Sequence, residues 1–340
     1  FWLKASASDI ARPWRHLRVL PSHRWAQPMS RRGGRPKGAN PLKPPRQGQS
    51  LAEVAEETLD IVRSAGGYHA GTRFVSIARE QAAAVERSSY HPDPSPAAAD
   101  ARPTRSVGFA EASALAAAET YARAGRRVCV LNFASGQHPG GGFRTGARAQ
   151  EESLARASGL FPTLTRHMGF YGRPPAGFHT DRMIFSPQVP VIRDDALALL
   201  EEPFCVDFVT AAAVNLRGVK RKTDLHKVEG VMQRRVLKLL ALCQRMGAEV
   251  LVLGAWGTGV FRLDAEDVAA WFRNALAITF FEEVVFAVPD ADKLECFETA
   301  FDEPPEPVDE LVRCQSPARG TTEGGAQGGA QGGAQGGAQG

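Results

Sequence analysis

Apolar positions in the middle of the chain recur at two periods. Helical spacing runs through LAEVAEETLDIVRSA (residues 51–65), a stretch near 76–87, EASALAAAETYARA (111–124), ESLARASGLF (152–161), residues 228–246, AEDVAAWFRNAL (265–276) and residues 290–300. Continuous apolar runs of strand length lie between them: RVCVLN (127–132), RMIFS (182–186), CVDFVTA (205–211), EVLVLG (249–254) and EVVFAVP (283–289). Such runs suit strands buried on both faces of a parallel sheet. Ser50 with Glu53 forms a capping box that opens the first helix, and Gly66 and Gly67 end it. Asp264 caps the helix at 265–276, and Gly125 and Gly247 each follow a helix. Residues 88–105, rich in Pro, Ser and Asp, read as loop. Alternating strands and helices predict one α/β domain over residues 50–303, with a mostly parallel or mixed sheet between helical layers.

Composition divides the chain further. Residues 1–49 are rich in Arg, Pro and Gly; the first fifty positions hold eleven Lys or Arg against one acid, Asp9. This segment cannot bury enough apolar surface to offset its ordering entropy, so a disordered basic arm is expected. It fits a solvated tail, an organelle-targeting segment or a nucleic-acid-binding arm, and composition does not choose among them. Residues 304–340 end in GGAQ repeats and read as a flexible low-complexity tail. The net charge of +4 therefore hides a mildly acidic body, with 30 basic and 36 acidic residues after position 50. The chain opens on Phe1, as a fragment or a processed chain would.

Several classes drop out. There is no apolar run long enough to cross a membrane. The eight histidines show no HxH or HExxH spacing, and the five cysteines (Cys129, Cys205, Cys243, Cys296 and Cys314) form no CxxC pair. Neither a metal site nor a disulfide framework is expected; buried reduced thiols are. Nothing points to oligomerisation, so a monomer is the expectation.

Candidate chemistry lies in two glycine-rich loops, each beginning where an apolar strand stops, the edge at which open α/β sheets bind ligands. The first, NFASGQHPGGGFRTGARAQEE, runs from Asn132 through Gly140, Gly141 and Gly142 to Gln150, Glu151 and Glu152. The second, GAWGTGVFR, spans Gly254 to Arg262 and contains Gly257, Thr258, Gly259, Val260 and Phe261. Glycine runs bring backbone N–H groups close to an anion, although each alone also suits a tight turn. Neither loop is followed by GKS or GKT, and GTGVF does not open a helix, which excludes a P-loop and a dinucleotide fingerprint. Glu151 and Glu152 read either as first-turn helix residues favoured by the macrodipole or as catalytic carboxyls. A carboxyl shielded from water beside phosphates has a raised pKa and suits general acid catalysis. Arg144 and Arg148 read as phosphate ligands or as solvated surface residues.

GGG, seven residues, then QEE resembles the catalytic signature of poly(ADP-ribose) glycohydrolases. NFAS, ARAQEESLARASGL, FVTAAAVN (208–215), the GGY at 66–68 and GAWGTGVF are similar to the microbial-type branch over roughly residues 50–303. The resemblance implies a macrodomain-like three-layer α/β/α sandwich with a mixed central sheet and an N-terminal helical extension. It implies hydrolysis of ribose–ribose bonds in poly(ADP-ribose), from polymer ends, without metal or cofactor. By resemblance Glu152 is the general acid/base and Glu151 holds ribose hydroxyls. Asn132, Phe261, Gln150 and the glycines of the first loop meet the terminal ribose, and residues 257–260 the diphosphate. The implied partners are poly(ADP-ribose) and ADP-ribosylated proteins, with nucleic acid reached only through the basic arm. An ADP-ribose reader without catalysis, and a scaffold serving the arm, are the competing readings.

Overall fold

The structure is a computed structural model that describes residues 49–172 and 177–306. The expected arm up to residue 48, the tail from residue 307 and Cys314 lie outside the described residues. Helix α1 (Leu51–Asp60) opens on the capping box: Ser50 Oγ accepts from Glu53 N, and the Glu53 carboxylate accepts from Ser50 N at 2.6 Å. It widens into a π turn over Ile61–Ala65 and stops at Gly66, where φ is 63°. A hairpin of β1 (Gly67–Ala70) and β2 (Arg73–Ser76) follows, then α2 (Ala78–Arg87), β3 (Ser89–His91), β4 (Val107–Ala110), α3 (Ala114–Arg123) and β5 (Val128–Phe133). The chain continues through α4 (Gln150–Ala157), α5 (Leu160–Thr165), β6 (Met183–Arg193), β7 (Leu199–Ala211), α6 (His226–Arg245), β8 (Val250–Leu253), α7 (Ala265–Leu276), β9 (Glu283–Ala287) and α8 (Ala291–Asp302).

Seven strands form one mixed sheet in the order β3-β6-β7-β5-β8-β9-β4. The five from β7 to β4 run parallel, while β6 and β3 add antiparallel on one side. Strand residues alternate between two cores, as a period of two demands. Cys129, Leu131, Leu251 and Phe286 face a core shared with α6, α7 and α8. Val128, Val130, Val252 and Val285 face another shared with α3, α4 and α5. Helices thus cover both faces, and the parallel strands all end on the edge from which the two glycine loops leave. No helix of the described residues is long and apolar enough to cross a membrane.

Four expectations are corrected. The strands expected at 182–186 and 205–211 extend well beyond those runs; β6 and β7 run for 11 and 13 residues as an antiparallel pair. Pro187 and Pro190 argue against a strand in the sequence. The structure accommodates them with a register shift between Ser186 and Val189 and with Gln188 at φ 48°. Buried Asp207 accepts from Gln188 N at 2.8 Å, satisfying the displaced backbone. The β1–β2 hairpin and β4 have no counterpart among the expected elements, and β3 falls inside the expected loop. The single helix expected at 152–161 is two, because Ser158 leaves it to bridge Val191 of β6. Cys129 and Cys243 are buried free thiols as expected, but Cys205 and Cys296 are half-buried.

Helix α1 is fastened to the body by one buried arginine. Arg193, 2% exposed, donates to Thr58 Oγ1 at 3.0 Å, to the Leu197 carbonyl at 2.8 Å and to the Glu57 carboxylate at 2.8 Å. Thr58 in turn donates to the Arg156 carbonyl of α4 at 2.7 Å. Arg193→Leu removes three hydrogen bonds at once and is expected to cost about 2–4 kcal/mol. Urea unfolding measures that loss, and limited proteolysis shows whether cleavage within residues 49–65 rises first.

Candidate active site

The end of β5 leaves backbone groups that the sheet does not use. Strand β8 stays in register with β5 only as far as Val130↔Val252. Beyond it the Gln150 side chain takes over, accepting from Phe133 N at 2.9 Å and donating to the Leu131 carbonyl at 2.7 Å. Buried peptide groups need partners, and this amide supplies two. It also fixes where α4 begins, so the next two residues face inward at the helix N-terminus.

Those residues are the paired carboxyls. Glu151 is 2% and Glu152 9% exposed, so they are first-turn residues but not solvated ones. Glu151 Oε2 accepts from Ser135 N at 2.6 Å, and Oε1 lies 3.4 Å from Asn132 Nδ2. Burial pushes Glu151 up to about 8; the Ser135 amide and Asn132 oppose this, and the charge of Glu152 adds to it. Glu152 Oε1 accepts from Gly142 N at 3.0 Å, while its buried Oε2 has no partner among the described residues. Gly141 has φ 57°, and a Cβ there would lie 2.2 Å from Glu152 Oε1. Only glycine lets this backbone pass so close to a carboxylate.

Both loops border one cavity of about 1030 Å³. Its wall includes Gly141, Gly142, Gln150, Glu151 and Glu152 from the first loop and Gly257, Gly259, Val260 and Phe261 from the second. Three expected site residues do not border it. Asn132 is fully buried and donates to Thr210 Oγ1, its register partner on β7, at 3.2 Å, and to Glu151. Thr258 turns inward to donate to the Ala255 carbonyl at 3.0 Å. Gly140 sits beneath the loop against Phe143 and Phe161. Gln150 reaches the cavity, yet both ends of its amide are engaged by β5. Asn132, Thr258 and Gly140 thus lie behind the wall, and Gln150 is part of it.

Phe261 is held from behind by His179, whose ring stacks on it at 5.5 Å and 15°. Burial, and then the nearby Arg235 guanidinium, lower His179 to about 4, so the imidazole is neutral at physiological pH. Arg235 itself is 2% exposed and pairs with Asp181 at 2.9 Å. The loop arginines differ in use. Arg144 forms a two-pronged pair with Glu56 of α1 at 2.8 and 3.3 Å and so ties the loop to the helical extension. Arg148 is exposed at the cavity wall.

Sequence reading missed Arg156. One helical turn after Glu152, it is 2% exposed and donates to the carbonyls of Ala147 at 2.6 Å and Phe143 at 3.4 Å. Burial lowers its pKa, and the charge of Glu152 acts the other way. The i, i+4 spacing from Glu152 was a usable signal. His179 and Ser135 carried none, because their contacts come from segments distant in sequence or from the backbone alone.

A family model described as the catalytic domain of microbial-type PARG, poly(ADP-ribose) glycohydrolase, matches residues 55–194. The poly(ADP-ribose) glycohydrolase structure from Thermomonospora curvata is 39% identical, with a TM-score of 0.67 over 74% of this chain and 99% of that one. A structure of that protein bound to the inhibitor ADP-HPD matches equally well. The Deinococcus radiodurans poly(ADP-ribose) glycohydrolase in complex with ADP-ribose is 32% identical, with a TM-score of 0.58 over 65% of this chain and 96% of that one. No curated protein matches the chain.

The raised Glu151 makes stability depend on pH. Below about pH 4.5 the carboxyl is protonated folded or unfolded, and its burial adds no pH-dependent penalty. As pH rises from there through about 8 the unfolded chain ionises first, so stability falls, then levels off. Glu151→Gln cannot ionise and is expected to gain on the order of 2–4 kcal/mol relative to wild type between pH 5 and pH 9. Urea titrations at both pH values check it; a constant difference between the two proteins defeats the assignment.

Proposed function

The chain belongs to the microbial-type poly(ADP-ribose) glycohydrolases, and on that premise we propose that it hydrolyses the ribose–ribose O-glycosidic bonds of poly(ADP-ribose). ADP-ribose is released from polymer ends, Glu152 acts as the general acid and base, and residues 50–303 form the catalytic unit. The observation that carries this reading is the Glu152 carboxyl: one oxygen is fixed by Gly142 N, and the other is buried at the cavity wall without a protein partner. A buried carboxyl oxygen is costly to leave unpaired unless a ligand group completes it.

The chemistry follows from one carboxyl used twice. In the first half the Glu152 proton passes to the departing ribose oxygen while the bond from the anomeric carbon breaks. The electron pair leaves with that oxygen, and an oxocarbenium-like centre remains. In the second half the Glu152 carboxylate takes a proton from water as the water oxygen bonds to the anomeric carbon, restoring the acid. Glu151, protonated up to about pH 8, can donate to a ribose hydroxyl from its cavity-facing edge while Ser135 N holds it. The Gly257–Phe261 turn offers backbone N–H groups to the diphosphate, and Phe261, backed by His179, faces the ribose. Relatives named as glycohydrolases at 32–39% identity, one holding ADP-ribose and another an inhibitor, favour turnover over a reader that only binds.

Glu152→Gln is expected to slow release of ADP-ribose by about 10²- to 10⁴-fold while leaving ADP-ribose affinity, measured calorimetrically, within severalfold. A variant that keeps the wild-type rate removes Glu152 from the mechanism. Gly141→Ala leaves both carboxyls present but pushes a methyl group against Glu152, and should fall by about as much as a displaced catalytic group does, roughly 10²-fold. Product chromatography separates modes of cleavage: cutting from ends yields monomeric ADP-ribose from the earliest time points, without oligomers.

A further inference from the structure

The densest basic segment of the described residues is not in the cavity but beside its rim. Residues 216–227, LRGVKRKTDLHK, place Arg217, Lys220, Arg221 and Lys222 within six positions between β7 and α6. All four side chains are exposed. The segment's one carboxylate, Asp224, pairs with Lys227 at 2.8 Å. Among the described residues none of the four forms a side-chain hydrogen bond or ion pair. The body around them is net acidic, so this patch stands against the charge of its own domain.

The segment is fastened to the site. Leu216 N donates to the Phe261 carbonyl at 2.9 Å, and Leu216 and Val219 pack on the same core as Phe261. That bond also brings it beside Arg262, which is exposed and held at φ 63°. A left-handed arginine costs backbone energy, and such strain collects where a ligand uses it. The Leu216 bond thus sets this basic loop, and Arg262 next to Phe261 in the chain, alongside the part of the cavity wall that Phe261 forms.

We propose that Arg217, Lys220, Arg221, Lys222 and Arg262 form a track for the anionic polymer beyond the unit seated in the cavity. This rests on the function proposed above. Each further unit of poly(ADP-ribose) carries a diphosphate, and the polymer has to leave the cavity across its rim. Guanidinium groups on that rim pair with phosphate oxygens in a two-pronged geometry, and the lysines add point charges. The patch thereby raises the affinity for polymer without touching the unit being cleaved.

The test is made in the full chain carrying Glu152→Gln, which keeps the polymer intact during binding. The five residues are replaced together by Gln, and a control replaces Arg102, Arg105 and Arg126, which precede β4 and β5 at the opposite edge of the sheet. Filter binding of purified poly(ADP-ribose) is followed against salt, and ADP-ribose binding by calorimetry. The five-residue variant is expected to bind polymer about tenfold more weakly and to flatten the dependence on salt, each lost phosphate contact removing roughly 0.7 from the logarithmic slope. ADP-ribose affinity stays at the parent value, and the control behaves as the parent. Unchanged polymer affinity overturns the track, as does a parallel loss of ADP-ribose affinity. An equal loss in the control, or an equal dependence of single-stranded DNA binding on the five residues, overturns it as well. Release of ADP-ribose by wild type is scored separately: its absence refutes the proposed function, while the binding data still decide whether the surface holds the polymer.

Discussion

Two adjacent carboxyls buried at the end of a sheet are the constraint around which the rest of the site is arranged. Taking charge out of water costs several kcal/mol per group after relaxation. The structure answers with nearby donors: Ser135 N and Asn132 for Glu151, Gly142 N for Glu152, and the first turn of α4 for both. The two groups are not treated alike. Glu151 lies deeper and keeps its proton to about pH 8, whereas Glu152 sits at the wall with an oxygen that protein atoms leave open. Unequal environments give equal side chains unequal work.

Holding that arrangement takes a second layer, and it comes largely from the N-terminal extension. Arg193 locks Thr58 and Glu57 of α1, and Thr58 holds the Arg156 carbonyl at the end of α4. The Arg156 guanidinium then reaches back to the carbonyls of Phe143 and Ala147 in the glycine loop. Glu56 takes Arg144 from the other side of the same loop. Helix α1 therefore holds the part of the loop that follows Gly142, directly through Arg144 and indirectly through Arg156. A loop with three consecutive glycines has much conformational entropy to lose, and these ties are what restrict it.

Much of this was legible in the chain. Apolar periodicity located the strands that carry both loops, the capping box at Ser50 and the N-cap Asp264 set two helix starts, and the glycine-to-QEE spacing marked the carboxyl pair. What escaped reading has a common cause: it depends on contacts far apart in sequence. Pro187 and Pro190 concealed a long strand because Asp207, on β7, satisfies the bulge they impose. Asn132 looked like a ligand contact, but its register with Thr210 turns the amide behind Glu151. Arg144 was poised between phosphate and solvent until α1 supplied Glu56. Local pattern indicates which residues a loop contains; tertiary register determines which of them reach the cavity.

The consecutive placement of the two carboxyls also limits the chemistry. Neighbouring residues on a helix point about 100° apart from one axis, so they reach the cavity from the same wall. They cannot stand on opposite faces of a sugar ring, as the acid and the base or nucleophile do in most glycoside hydrolases. On the function proposed above, protonating the departing oxygen and activating water from one side would fall to a single group with one oxygen fixed and one unencumbered. Glu152 meets this condition and Glu151 does not, since both Glu151 oxygens already have protein partners. On the function proposed above, negative charge near the oxocarbenium-like centre would come with the substrate. Its diphosphate, set against the Gly257–Phe261 turn as proposed above, would supply that charge and give the loop a part in catalysis as well as in binding.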